Sequence, residues 1–212
     1  MVSKSLLWHY TQLLQEYGDP ITYWPQWCAK TKSVKEREKI IIGMVLVQRT
    51  SWHNANIALK NLKKENLLSI RKISELKSLD KLTQLIRSAG FYQSKPKRLF
   101  DICAFAIGQG GISRLIKRDA SKLRLDLLDI KGVGQETADT ILLYALDKPV
   151  FIIDEYARRW VEKNGITKEK DYLKLQQFFH DNLKKDLLIY QNFHTLIIVC
   201  QRGREKSVME VV

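Results

Sequence analysis

Leu127-Leu128-Asp129-Ile130-Lys131-Gly132-Val133-Gly134-Gln135-Glu136-Thr137-Ala138-Asp139-Thr140-Ile141-Leu142 reads as a helix end, a turn and a second helix that starts at once. Gly132 and Gly134 are expected to adopt backbone angles closed to other residues and to keep side chains out of the way. The N–H groups of the turn and of the next helix's first residues then point outward with positive partial charge. That is a seat for a phosphate oxygen. Lys131 stands just before the glycines, and Gln135 and Thr137 open the second helix. Val133, Ala138, Ile141 and Leu142 can lock the two helices together underneath. A lone glycine-x-glycine serves a plain structural turn just as well; the longer pattern L-x-x-I-K-G-V-G-x-x-T-A is what singles this stretch out.

Outward from the turn, helical periodicity dominates. Leu6, Leu7, Tyr10, Leu13, Leu14 and Tyr17 fall on one face before Gly18-Asp19-Pro20 stops the helix. Further helical patterns cover roughly residues 36–48, 51–64, 79–89, 94–107, 113–118, 122–129, 135–146, 154–163, 171–184 and 187–201. Breaks fall at Gly90, Gly108-Gln109-Gly110-Gly111, the hairpin, and Asn164-Gly165. Only Pro149 to Ile153 looks strand-like, and five residues do not make a sheet. The expected class is all-α, about ten short helices with short connections.

The chain of 212 residues is 45% hydrophobic and 28% charged, with 10 Gly and 4 Pro, which excludes a disordered or collagen-like protein. Its formal charge of +13 suits a polyanionic partner, either nucleic acid or an anionic membrane face. Residues 51–100 alone carry 11 Lys/Arg against 3 Asp/Glu, as a phosphate-facing surface or simply as solvated helix faces. Cys28, Cys103 and Cys200 are isolated and odd in number, so they build neither a disulfide framework nor a four-cysteine cluster. Buried thiols in a reducing compartment are expected. His9, His53, His180 and His194 share no metal-ligand spacing and read as surface or core residues. The N-terminus lacks a secretory apolar core, and the longest apolar run, Ile40 to Val47, is too short to span a bilayer. The expectation is an intracellular, cytoplasmic and nucleoid-associated protein, monomeric and off the membrane.

With these blocks in view, the chain resembles the helix-hairpin-helix DNA glycosylases, the superfamily of endonuclease III. Val45-Leu46-Val47-Gln48-Arg49-Thr50 is similar to the family's V-L-x-Q-x-T helix end, and Gly90-Phe91-Tyr92-Gln93-Ser94-Lys95-Pro96-Lys97-Arg98-Leu99 to its G-[FY]-x-x-K-A-x-x-L segment. About twenty residues past the hairpin, Val150-Phe151-Ile152-Ile153-Asp154 matches the setting of the family's aspartate. The resemblance covers roughly residues 36–160. It implies two helical lobes, residues 1–35 plus 160–212 and residues 36–159 with the hairpin at 127–146, holding damaged double-stranded DNA in the cleft between them. Asp154 also makes sense unaided, because a carboxylate at a helix start is stabilised by free N–H groups and the helix dipole. The resemblance turns a plain cap into a catalytic residue that stabilises an oxocarbenium-like sugar, activates water, or both.

Departures from the family's pattern narrow the expected chemistry. Where its strand-cleaving members carry a Schiff-base lysine, this chain has Glu136, so no imine forms and an abasic site is left for downstream repair enzymes. Where the adenine-mismatch members carry a glutamate, this chain has Met44, and no iron–sulfur cysteine loop follows Asp154. Neither a cofactor nor a metal is expected. Tyr23-Trp24-Pro25-Gln26-Trp27 is similar to a Trp-Pro element of the 3-methyladenine branch. Trp24, Pro25 and Trp27 would line a pocket for a cationic, electron-poor purine, or pack in the core. Glu136 would shape or hydrogen-bond that pocket, or merely cap its helix. Lys206 in the basic tail is a further pocket candidate. Gln48 or Arg49 would fill the gap left by the extruded nucleotide, or sit at a solvent-facing helix end. The expected activity is monofunctional excision of alkylated purines, chiefly 3-methyladenine. A different damaged or mismatched base, or a non-catalytic DNA grip, would fit the same fold.

Overall fold

A serine capping box starts the central helix, α2 (Val34–Val47): the Ser33 hydroxyl accepts from Glu36 N–H and the Glu36 carboxylate from Ser33 N–H. Its middle, Ile40 to Leu46, is apolar on every side and buried, as befits a helix surrounded by others. In this computed structural model, which describes residues 5–209, twelve further α-helices surround it. They are α1 (Leu6–Tyr17), α3 (Trp52–Lys64), α4 (Ile70–Ser74), α5 (Asp80–Leu85), α6 (Lys95–Gly108), α7 (Ile112–Leu115), α8 (Ala120–Leu128), α9 (Gln135–Thr140), α10 (Glu155–Lys163), α11 (Tyr172–Asn182), α12 (Leu187–Arg202) and α13 (Arg204–Ser207). No strand occurs among the described residues. Residues 1–4 and 210–212 of the expected terminal lobe lie outside them.

The all-α class holds, with corrections of detail. Helices α4 and α13 have only five and four residues, too few for a periodic pattern to register. The tract expected over 79–89 ends early at Leu85 and resumes as a 3₁₀ turn, Arg87–Ala89. The second hairpin helix changes winding after Thr140: Ile141–Ala145 is π-helical, and Leu146 N–H reaches back to Ile141 C=O. The buried Arg37 of α2 caps this segment, donating to Ala145 C=O at 2.7 Å and pairing with Asp147.

The strand-like tract 149–153 is extended but has no strand to pair with. One face of α11 supplies its hydrogen bonds instead, at i, i+4 and i+8. Phe151 N–H donates to His180 Nε2 (3.0 Å), Gln176 Nε2 donates to Phe151 C=O (2.6 Å), and Ile153 N–H approaches Tyr172 Oη (3.4 Å). Asp139 of α9 ties this ladder down from behind. Fully buried, it accepts from Arg124 of α8, from Tyr172 Oη (2.8 Å) and from Gln176 Nε2 (2.8 Å). Hairpin, extended segment and α11 are thereby one polar assembly inside an apolar core, and its last residue hands the chain to Asp154.

Two expectations follow. Asp139→Ala leaves a guanidinium, a phenol and an amide without their shared acceptor, so chemical denaturation should show a loss of about 3–5 kcal/mol. His180 must be neutral to accept from Phe151, and burial lowers its pKa from the ordinary 6.5. The unfolded chain therefore takes up this proton first, and the corresponding stability, intact above pH 6.5, declines as pH falls toward the lowered folded value. Melting temperatures from pH 7.5 to 5 should show that decline in the wild type and a flatter one in His180→Phe; equal slopes would refute it.

Candidate active site

Asp154 is the N-cap of α10, and its Oδ1 accepts from Ala157 N–H at 2.7 Å. Its side chain is 13% exposed and opens onto a cavity of about 360 Å³. Indoles form much of the wall. Trp24 and Trp27 lie three residues apart and both turn inward, their rings edge to face at 5.5 Å. Trp52, the first residue of α3, meets Trp27 edge to face at 5.8 Å. Tyr144 of the π-helical segment lies beneath, 5.7 Å from Trp24 and 5.3 Å from Trp27. Met44, Ile152, Tyr156, His194, Ile198, Arg202 and Met209 complete most of the lining.

The C-terminal segment braces this wall. Trp24 Nε1 donates to Ser207 C=O (3.1 Å), and Met209 N–H donates to Tyr23 C=O (2.8 Å). Two residues expected in the pocket do not line it. Pro25 sits half-buried in the turn that lets both indoles face inward. Lys206 is exposed because the one-turn α13 buries Ser207 instead, whose hydroxyl bonds Gly203 C=O. Arg202 and Met209 take the place foreseen for it.

Glu136, next to the hairpin, reaches both this cavity and a second one of about 420 Å³. Its side chain keeps solvent contact, but the cleft walls remove much of its hydration. That burial, reinforced by the nearby Asp154 carboxylate, raises its pKa above the ordinary value. The second cavity is polar and lies between the α2 end, the α6 start and the hairpin, lined among others by Gln48, Arg49, Arg98, Gly132 and Thr137. Gln48 Nε2 donates to Thr137 Oγ1 at 2.7 Å, and Arg98 donates to Gln48 Oε1. Thr137, foreseen on the outer face, is buried and spends its hydroxyl on this bridge. Arg49 is exposed and takes a left-handed φ of 53°. Beneath it the buried Lys95 donates to the carbonyls of Leu46, Gln48 and Ala89, and desolvation lowers its pKa to about 8.

The hairpin itself separates the two glycines. Gly132 has φ +87°, and a Cβ there would run into the Arg98 guanidinium. Gly134 has an ordinary φ of −95°, contrary to expectation, and a Cβ there would meet nothing. Glycine at 134 therefore clears the outer surface and is not needed to make the turn. Val133 is buried, Lys131 and Gly134 are exposed, and Gln135 is half-buried beside the open start of α9. Among the described residues no helix is long and apolar enough to cross a membrane, and no cluster of three His, Cys, Asp or Glu could hold a metal. A larger depression, about 680 Å³ between α10 and residues 165–170, contains neither Asp154 nor any hairpin residue.

Sequence reasoning missed Trp52, Tyr144, His194, Arg98 and Arg202. Arg98 stands in a block already singled out, Arg202 in the basic tail, and His194 among the histidines read as surface or core; Trp52 and Tyr144 lie on helices whose periodicity marks them only as inward-facing.

Residues 42–185 match the HhH-GPD superfamily of base excision DNA repair proteins. A protein of Methanocaldococcus jannaschii named as a DNA repair glycosylase is 42% identical over 89% of this chain and 83% of its own length. Among solved structures, the H. pylori 3-methyladenine DNA glycosylase bound to 1,N6-ethenoadenine superposes with a TM-score of 0.73 at 27% identity, covering 92% of this chain and 94% of that one. The 8-oxoguanine DNA glycosylase of Thermotoga maritima shares the fold alone, with a TM-score of 0.67 at 17% identity over 93% and 96% of the two chains. With an aspartate capping a helix at an aromatic cavity, about twenty residues past a glycine hairpin, and with that family match over most of its length, the chain belongs to the HhH-GPD superfamily of base excision DNA repair proteins.

Proposed function

We propose that the protein is a monofunctional DNA glycosylase that extrudes an alkylated purine, chiefly 3-methyladenine, into the indole-walled cavity and releases it. The observation that carries this reading is the cavity that ends on Asp154 and is walled by Trp24, Trp27 and Trp52. An N-methylated purine is a cationic disc, stacks well on electron-rich faces, and has a glycosidic bond already weakened by its charge. The Asp154 carboxylate then stabilises the oxocarbenium-like sugar and orients the water that attacks it. Glu136, its pKa raised in the cleft, is suited to donating a hydrogen bond to the base. It offers no amine for an imine, so the abasic site passes to a separate enzyme. The likeness to the H. pylori enzyme favours 3-methyladenine among the lesions this fold serves.

In this reading DNA lies in a cleft between residues 1–35 plus 160–212 and residues 36–159. Lys131, the backbone of Gly132-Val133-Gly134 and the start of α9 hold a phosphate. Gln48 or Arg49, at the end of α2, enters the space vacated by the extruded nucleotide.

Dimethyl-sulfate-treated DNA incubated with the protein should yield free 3-methyladenine with no borohydride-trapped covalent complex; trapping, or no base release, would refute the assignment. Asp154→Asn should slow release by about 100- to 10,000-fold while binding to a tetrahydrofuran-containing duplex persists. Gly132→Ala, strained by about 1–2 kcal/mol at its positive φ and colliding with Arg98, should weaken that binding in fluorescence anisotropy. Wild-type affinity would argue against a phosphate seat at the hairpin.

A further inference from the structure

We propose that His194 is a positioning residue for Asp154: its Nε2–H donates to Asp154 Oδ2 and holds the carboxylate toward the reacting sugar. The inference rests on the glycosylase reading above. His194 lines the cavity from α12, is 3% exposed, and its buried Nε2 has no hydrogen-bond partner. Such an orphan is costly to bury unless something satisfies it. The nearest carboxylate oxygen is Asp154 Oδ2, at 3.4 Å. Asp154 Oδ1 is already taken by Ala157 N–H, so Oδ2 is the oxygen left to be steered. Contacts of this length in an empty site commonly tighten when substrate arrives.

The opposite side of the ring selects which nitrogen carries the proton. His194 Nδ1 is 2.8 Å from Tyr144 Oη, which also lies 3.0 Å from Thr195 Oγ1 and 3.2 Å from Gln191 C=O. Burial pushes the Tyr144 pKa well above 10, so the phenol keeps its proton. The Gln191 carbonyl also accepts from this hydroxyl, at 3.2 Å, but Nδ1 is the nearer acceptor at 2.8 Å; a proton directed to Nδ1 leaves the ring N–H on Nε2, and the Thr195 hydroxyl can donate to the Tyr144 oxygen in turn. Cys28 Sγ, 3.4 Å from Thr195 Oγ1, extends the chain toward the loop that carries Trp24 and Trp27. The π-helical winding of Ile141–Ala145 carries Tyr144 in this arrangement.

Gln is long enough to place its amide nitrogen where Nε2 stands, whereas Asn reaches only the Nδ1 position. His194→Asn should therefore slow single-turnover release from dimethyl-sulfate-treated DNA by about 100-fold, with His194→Gln restoring most of the rate. Binding to the tetrahydrofuran duplex should stay unchanged in both. A wild-type rate in His194→Asn, or a His194→Gln as slow as His194→Asn, would overturn the assignment. Imidazole ¹⁵N spectra of the free protein, with His194 assigned through His194→Gln, should show the Nε2–H tautomer and a shift of that signal in Asp154→Asn. The Nδ1–H tautomer would overturn the assignment whatever the substrate. Full activity of Asp154→Asn would instead sink the glycosylase reading, leaving the spectra to decide the contact.

Discussion

The buried carboxylate of Asp139 is the constraint on which the rest of the site depends. An extended segment in the middle of a helical protein has no neighbouring strand, and its polar backbone atoms would be costly to bury unpaired. Here Tyr172, Gln176 and His180 replace the missing strand, and Asp139 orients two of the three. Because Asp139 is on the second hairpin helix, the same anion fixes the hairpin relative to the tract that delivers Asp154. Distance along the chain between the glycine turn and Asp154 becomes a fixed distance in space.

Around Asp154 the fold assembles several polar groups in one small volume. Glu136 lies at the mouth, where the cleft walls and the neighbouring Asp154 carboxylate raise its pKa above the ordinary value. Asp154 has one oxygen committed to a backbone N–H, and His194 stands beside the other. The indoles keep the surroundings apolar enough for these electrostatic effects to count. Gln48 and Arg98 link the α2 end to the hairpin, with the Arg98 guanidinium packed close over Gly132.

What could be read from the sequence was whatever is local. The hairpin and the cap at Asp154 each depend on residues within a few positions of one another, and both stand where their spacing put them. Helical class followed from periodicity, which failed for the single turns α4 and α13, for the break after Leu85 and for the change of winding at Ile141. The cavity was less legible because its walls come from the 20–27 loop, α2, α3, the hairpin and α12, and an inward-facing Trp or His looks the same on a helix wheel whether it meets core or cavity. Asp139 lay within the quoted motif, yet its partners Arg124, Tyr172 and Gln176 are 15, 33 and 37 residues away. Gly134 misled for the opposite reason: its neighbour needs the unusual φ, and it does not.

Trp24 hangs from Ser207, and Tyr23 from Met209, so the aromatic wall is fastened from α13 and the residues just after it, far along the chain from the hairpin. During synthesis the hairpin and Asp154 leave the ribosome well before that fastening can form. A growing polypeptide that has not yet reached Ser207 thus carries Asp154 beside an unbraced wall, and the cavity is finished only when α13 folds back.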